Sequence, residues 1–283
     1  MQENVDCRGS MGLKIQKQEN KKIYRKSVNT YLYKYLLDYL YGLSERLKIP
    51  VIEYKFIDEG DKYYIESECY DDSIDFDEIL LEPFYYSDII DGIFMMKEYT
   101  SKYDNGPEVY NQYLKQIILS LLINDADRTI DNTKIYRKNN NLILAPYLDI
   151  HMVMNAYGDD SIFIDDFYFT KEKYEEVNKE MQSDDKLDYD TCMNAFYDEY
   201  RNCFDSAFNQ FVFGDHRIEE VWQTLYNEIN DKQIFSDISN LSLDDVIDQT
   251  KIQKNAYLMI ATQFEISKEA VNQLLENNVN KKR

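Results

Sequence analysis

The chain has 283 residues and a formal net charge of −21, and its composition is 44% hydrophobic, 14% aromatic and 30% charged. This apolar content excludes a fully disordered or fibrous chain, and the strong negative charge argues against direct binding to nucleic-acid backbones. Because the four cysteines lack C-x-x-C spacing and the chain has only two histidines, we expect no zinc site.

The apolar segments of the sequence are too short to cross a bilayer. The longest mostly apolar run covers residues 117–123, whereas a transmembrane helix needs about 20 residues. The N-terminus is polar and lacks a secretory signal. Scattered cysteines are typical of a reducing compartment, so we expect a soluble, cytoplasmic protein with no membrane partner.

The first 70 residues predict a small sheet with one helix. Residues 8–28 alternate apolar and polar side chains on both sides of a polar gap, which predicts two antiparallel strands. Leucines at helical spacing predict a helix over residues 29–47, and residues 51–57 and 62–68 predict a strand, a turn and a strand. The sequence becomes acidic and loses its periodicity near residues 70–77, where we place a boundary between two lobes, 1–70 and 71–283.

Helical patterns dominate the remainder of the chain. The apolar spacing predicts helices over residues 108–123, 171–181, 188–212, 216–229 and 251–277. Two short strand-like runs, 133–137 and 141–145, flank a polar turn and predict a hairpin. Residues 260–271 faintly resemble a DNA-binding helix-turn-helix, but the acidic surroundings favour a helical hairpin without DNA contact.

Three polar residues on either side of this hairpin are candidates for phosphoryl-transfer chemistry. Asp127 and Asn132 lie five positions apart in a polar stretch after an apolar helix, and Asp149 follows the hairpin. Phosphoryl transfer uses one carboxylate to orient the nucleophile, and an amide oxygen with a second carboxylate to hold magnesium against the phosphates. Acidic loop residues are common in this chain, so the order of the elements supports this interpretation more than the spacing alone.

The motifs resemble those of the HipA-like kinases over roughly residues 8–150. The family has a D-x-H-x-x-N catalytic loop and an L-A-P-x-x-D metal motif. Here the loop runs from Asp127 to Asn132, and the second motif is Leu144-Ala145-Pro146-Tyr147-Leu148-Asp149. The sequence Lys48-Ile49-Pro50 resembles the family's G-I-P connection, and the loop is also similar to the D-R-x-x-N variant of phosphoinositide-kinase-like enzymes.

This resemblance implies a two-lobed α+β kinase-like fold, with a small β-rich N-lobe, a mainly helical C-lobe and a site for ATP and Mg²⁺. Asp127 would be the catalytic base, and Asn132 and Asp149 would be the catalytic magnesium ligands. Lys26 would contact the α- and β-phosphates. Backbone groups would also bind the cofactor. A Gly-rich turn would cover the phosphates with Gly9, Ser10 and Gly12, and a hinge would contact adenine with Glu66, Glu68 and Tyr70.

Several assignments within this site stay open at the level of sequence. Because the strand register is not fixed, Lys14 or Lys22 could take the place of Lys26 as the phosphate contact. The acidic partner of that lysine is unassigned, with Asp38 and Glu45 as candidates. In the loop, Asp125 could exchange roles with Asp127.

The resemblance implies an ATP-dependent kinase that phosphorylates Ser or Thr on a protein, with a toxin-like role and an antitoxin-like partner as further implications. One alternative is a catalytically silent binding module, because Arg128 stands where the family has His and an arginine cannot shuttle a proton near neutral pH. A small-molecule or lipid kinase is a third alternative, although the chain lacks the basic membrane-facing helix that phosphoinositides favour.

Overall fold

The computed structural model describes residues 5–6, 14–18, 21–28, 31–60, 62–80, 89–125, 133–147 and 218–281, with isolated positions between 175 and 198. Six of the predicted site residues lie outside this part of the chain: Gly9, Ser10, Gly12, Asp127, Asn132 and Asp149. The predicted helices 171–181 and 188–212 also lie outside it, apart from the isolated positions.

The N-terminal part forms an antiparallel sheet with one helix, as predicted. Its strands are β1 (Val5–Asp6), β2 (Lys14–Gln18), β3 (Lys21–Val28), β4 (Tyr54–Asp58) and β5 (Tyr63–Glu68), in the order β1-β2-β3-β5-β4. Helix α1 (Leu32–Leu47) connects β3 to β4 and buries the leucines that predicted it. The ring centroid of Tyr31, at the start of α1, lies 5.2 Å from that of Phe56 and 5.7 Å from that of Tyr63. These contacts place α1 against one face of the sheet.

The end of α1 explains the connection that resembles G-I-P. Lys48 caps the helix with a φ of 55°, in the left-handed region that glycine adopts without cost. The amides of Lys48 and Ile49 both donate to the carbonyl oxygen of Ser44, which closes the last turn. A glycine at this position of the family motif would fit the same backbone conformation.

A second sheet and two helices follow. Strand β6 (Glu78–Leu80), which the sequence did not predict, pairs with the predicted hairpin of β7 (Ile135–Lys138) and β8 (Asn141–Leu144). Helix α2 (Ile89–Thr100) was also not predicted individually, and α3 (Gly106–Leu122) corresponds to the predicted helix 108–123. Because β6 has only three residues, it shows too little alternation to be recognised from sequence.

The described C-terminal part consists of helices. They are α4 (Ile218–Glu228), α5 (Gln233–Asn240), which was not predicted, and α6 (Lys254–Asn280). The prediction of a helical hairpin within residues 260–271 is wrong, and so is its helix-turn-helix alternative, because α6 runs through this stretch without interruption. The segment contains no glycine or proline that would end a helix. None of the described helices combines the length and apolar character that a bilayer crossing requires.

The predicted α+β class is confirmed, with a small antiparallel sheet in the N-terminal part and helices in the C-terminal part. Contacts divide the chain into two units. The first includes residues 1–87, 91–119 and 127–152, and the second includes residues 88–90, 120–126 and 153–283. The lobe boundary at residues 70 and 71 stays a prediction.

Candidate functional site

Lys26 occupies a buried position in the middle of the first sheet. It pairs with Ile65 of β5, and only 9% of its surface is exposed. Its neighbour Arg25 is on the opposite face, where its Nε lies 3.3 Å from Oε1 of Glu66 and its guanidinium lies 4.0 Å from the ring centroid of Tyr64. Phe56 also pairs with Ile65, so Lys26 shares the face that α1 covers.

Register and burial together distinguish Lys26 from the two lysines that were its alternatives. Lys22 lies on the same strand and is exposed. Lys14 pairs with Arg25 on the neighbouring strand. Among the described side chains of β3, Lys26 is therefore the buried lysine. Its role as a phosphate contact stays a prediction.

The three predicted hinge residues differ in their positions. Glu66 lies within β5, where it pairs with Arg25 on one side and with Lys55 on the other. Glu68 ends the same strand and, by alternation, shares the face of Glu66, which is opposite to that of Lys26. Tyr70 follows the strand and begins a 3₁₀ turn, Tyr70–Ser73. Of the three, Tyr70 is the residue whose backbone lies outside the ladder of β5.

Tyr24 lies beside Lys26 and was not named by the sequence analysis. It lies two positions before Lys26 on the same face of β3, and its hydroxyl accepts a hydrogen bond from Sγ of the buried Cys69 at 3.2 Å. The amide of Cys69 donates to the carbonyl of Lys22 at 2.9 Å and so prolongs the ladder by one residue. A ligand that reached from Lys26 to the chain after β5 would therefore pass Tyr24. Its spacing from Lys26 was the signal that could have identified it.

The turn after β5 is attached to the β7–β8 hairpin. The hydroxyl of Tyr136, which is fully buried, donates to the carboxylate of Asp71, and Nζ of Lys134 lies 3.5 Å from the same carboxylate. The rings of Tyr70 and Tyr136 lie 5.8 Å apart. Burial raises the pKa of Tyr136, and the hydrogen bond to the Asp71 carboxylate raises it further. Tyr136 therefore stays a neutral donor throughout the physiological pH range.

The base of the hairpin joins the described residues that flank the two predicted motifs. The amide of Ala145, which precedes Asp149, donates to the carbonyl of Lys134, which follows Asn132, at 2.9 Å. Nε2 of the buried Gln116 in α3 donates to the carbonyl of Ala145 at 2.7 Å. The segments that lead out of the first motif and into the second therefore lie side by side.

Tyr147, the last described residue before Asp149, is held by backbone bonds. Its amide donates to the carbonyl of Pro50 at 2.8 Å, and its carbonyl accepts from the amide of Ile52 at 3.1 Å. Tyr147 and Val51 form a parallel bridge, and the side chain of Tyr147 is fully buried. The connection between α1 and β4 thus fixes the chain that leads to Asp149.

The end of α3 determines how the chain enters the first motif. Asn124 has a φ of 49°. Its backbone N–H donates to the carbonyl of Leu121 at 3.4 Å, and the backbone N–H of Asp125 donates to the carbonyl of Ser120 at 2.9 Å. This pair of bonds is a Schellman motif with asparagine at the left-handed position. Asp125, two residues before Asp127, is 1% exposed. The side chain of Asn124 is also buried, and neither its Nδ2 nor its Oδ1 has a hydrogen-bond partner among the described residues.

An open groove of about 760 Å³ borders the end of β5. Its lining includes Glu66, Glu68 and Tyr70, the three predicted hinge residues, together with Val51 and Pro146. Lys26 does not line this groove.

Magnesium suits the two predicted ligands chemically. Asn132 and Asp149 offer an amide oxygen and a carboxylate, and hard oxygen donors are what Mg²⁺ prefers. Among the described residues, no group of three or more His, Cys, Asp or Glu side chains is arranged to hold a metal ion. The assignment of these two ligands stays a prediction.

Comparison with known proteins gives matches among solved structures only. No family model matches the chain, and no curated protein does. The structure is similar to the Helicobacter pylori proinflammatory kinase CtkA, with a TM-score of 0.49 and 12% identity over 94% of this chain and 95% of that one. It is also similar to a chain from the toxin–antitoxin complex of HipA, HipB and operator DNA of Shewanella oneidensis MR-1. For this second match the TM-score is 0.43 and the identity 10%, over 97% of this chain and 63% of that one.

This chain therefore spans less than two thirds of the second matched chain. At such identities and TM-scores, neither match assigns an activity or a residue role to this chain.

Proposed function

We propose that this chain is an ATP- and Mg²⁺-dependent kinase of the HipA-like type that transfers phosphate to a Ser or Thr hydroxyl of a protein. The hydrogen bond between Ala145 and Lys134 is the observation that carries the proposal. It brings together the segments that flank Asn132 and Asp149, which are far apart in sequence. Lys26, the candidate phosphate contact, belongs to the same unit as this hairpin.

Each residue has a defined task in the proposed reaction. The substrate hydroxyl attacks the γ-phosphorus, the bond from that phosphorus to the β–γ bridging oxygen breaks, and ADP leaves. Asp127 orients the hydroxyl and takes its proton. Lys26 binds the α- and β-phosphates, and the backbone at Tyr70 contacts adenine. Magnesium, held by Asn132 and Asp149, would neutralise the charge that develops on the phosphoryl group.

A phosphotransfer assay with matched lysine variants tests this proposal. Purified wild-type protein, Lys26→Met and Lys22→Met are incubated with γ-labelled ATP and Mg²⁺, and label in protein is quantified. We expect Lys26→Met to lose about 10²-fold or more of the rate, because a fixed cation at the phosphates is removed. The control Lys22→Met removes the same charge from an exposed position on the same strand, and we expect it to retain activity.

The roles of the acidic residues are tested in the same assay. Asp127→Ala and Asp149→Ala are expected to abolish transfer, and undiminished activity in both would rule out their assignment. If Asp125→Ala abolishes transfer and Asp127→Ala does not, the two carboxylates exchange roles. Label on a small molecule or a lipid in place of protein would identify the third class of kinase.

A silent binding module is the second candidate, and Arg128 favours it. This residue stands where the family has His, and an arginine cannot shuttle a proton near neutral pH. The melting temperature of such a module would rise with ATP and Mg²⁺ in a thermal-shift measurement, but the module would transfer no label. An antitoxin-like protein is the partner that we propose for either function, on the basis of the family resemblance.

A further inference from the structure

Two buried polar side chains of α6 contact the end of α3. Nε2 of Gln263 lies 3.4 Å from the carbonyl oxygen of Leu121 and 3.5 Å from that of Leu122. Oγ of Ser267 donates to the carbonyl of Leu121 at 3.2 Å, and Gln263 donates to Ser267 at 3.1 Å. Gln263 is fully buried and Ser267 is 3% exposed. All of these residues belong to the second unit.

The chemistry of a helix end explains what these side chains do there. The last four carbonyl groups of a helix lack intrahelical donors and must find partners elsewhere when they are buried. The Schellman motif supplies backbone donors to Ser120 and Leu121. Gln263 and Ser267 add side-chain donors to Leu121 and Leu122, at a place where Leu121, Leu122 and Ile123 are all buried away from water.

Their place on α6 matches this task. Residues four positions apart lie on one face of a helix, so Gln263 and Ser267 present their polar groups together. Their neighbours Phe264 and Ile266 are buried apolar residues. Burying an amide and a hydroxyl in such surroundings costs free energy unless both are hydrogen-bonded. The end of α3 provides those acceptors.

We propose that Gln263 and Ser267 are positioning residues that hold the C-terminal end of α3 and thereby fix the direction in which the chain leaves toward Asp127. This inference rests on the proposed kinase function for its catalytic consequence. Asp127 follows Leu122 by five residues, and the left-handed Asn124 lies between them. Because only four residues separate the two, we expect a displacement of the helix end to displace Asp127 as well, and misplacement by about 1 Å can cost on the order of 10²-fold in rate.

The test compares three substitutions in the 283-residue chain. Gln263→Met removes the amide donor while keeping a side chain of similar length, and Ser267→Ala removes the hydroxyl. Gln273→Met makes the same chemical change at an exposed position on the same helix and serves as the control. Phosphotransfer is measured as kcat and as KM for ATP, and hydrogen–deuterium exchange is measured over residues 118–135.

We expect Gln263→Met to lower kcat by about 10-fold to 100-fold, with KM for ATP changed less than about twofold, because Asp127 is proposed to act on the substrate hydroxyl and not on ATP. Ser267→Ala should have a smaller effect in the same direction, and Gln273→Met none. Exchange at residues 121–127 should accelerate in the first two variants only. A purely structural role would lower the amount of folded protein and leave kcat per folded molecule unchanged.

Two results would overturn the inference. One is wild-type kcat in Gln263→Met with unaltered exchange at residues 121–127, and the other is an equal loss of kcat in Gln273→Met. If the wild-type protein transfers no phosphate, the proposed function fails. The exchange measurement still decides whether Gln263 and Ser267 hold this segment, since it requires no activity.

Discussion

Gln116 offers the sharpest test of how the second motif is held in place. Its Nε2 donates to the carbonyl of Ala145 at 2.7 Å, and both residues are buried, at 3% and 2% exposure. Gln116→Met keeps the length and volume of the side chain but removes this donor. The buried Ala145 carbonyl loses that partner, and leaving a buried acceptor unsatisfied costs about 1–3 kcal/mol.

This cost should be concentrated in the β7–β8 hairpin. Ala145 follows β8 directly and bonds to Lys134 before β7, so opening of the hairpin exposes its carbonyl to water. A loss of about 2 kcal/mol in the opening free energy corresponds to about 30-fold faster amide exchange. Native-state hydrogen exchange at Tyr136 and Ala145 measures this change directly.

The control is Gln112→Met, one turn earlier on α3 at an exposed position. Gln112→Met makes the same change in helix propensity and side-chain chemistry as Gln116→Met but breaks no bond to Ala145. The difference between the two variants therefore measures the effect of that hydrogen bond. We expect exchange in this variant to stay within about twofold of the wild type. Equal exchange rates in the two variants would refute the contribution that we assign to the bond between Gln116 and Ala145.

Three further predictions concern single residues. Since burial raises the pKa of Tyr136, the folded state keeps this proton above pH 10 while the unfolded state loses it, so stability falls as the pH rises there. In urea denaturation between pH 9 and 11, the free energy of unfolding should fall less steeply with pH in Tyr136→Phe than in the wild type, by up to about 1.4 kcal/mol per pH unit. Identical slopes in the two proteins would contradict this. Asn124→Gly should be at least as stable as the wild type, and Asn124→Ala about 1 kcal/mol less stable than the glycine variant, because φ is 49°. Equal denaturation midpoints for those two variants would argue against strain at this position. Lys48→Gly, at a φ of 55°, should raise the free energy of unfolding by up to about 1 kcal/mol in thermal denaturation, and a lower midpoint would show that the lysine side chain contributes more than its backbone costs.

The register of the first sheet illustrates a property that local sequence did not decide. Alternation predicted the strands, and Lys26 was one of three lysines that could have been the phosphate contact. Lys14 pairs with Arg25 on the opposite face, and Lys22 shares the face of Lys26 but is exposed, so register and burial together distinguish the three. Register depends on contacts between strands that are distant in sequence, so a single strand carries no information about it.

The sequence by itself determined the elements with regular apolar spacing, namely α1, α3, α4, α6 and the strands β2, β3, β4, β5, β7 and β8. It also identified the motif residues whose chemistry suits phosphate and magnesium. Local periodicity suffices for these because each segment must bury one face wherever it packs. It did not predict β6 or α5, which are too short to show a clear period.

Only the tertiary structure decided which groups meet. Tyr24 bonds to Cys69, Gln116 bonds to the carbonyl of Ala145, and Gln263 bonds to the end of α3, across separations that no local pattern encodes. Each contact satisfies a polar group that burial would otherwise leave unpaired, and burial depends on how the whole chain packs. For this reason the sequence could indicate the residues of the candidate site, whereas their supporting contacts required the fold.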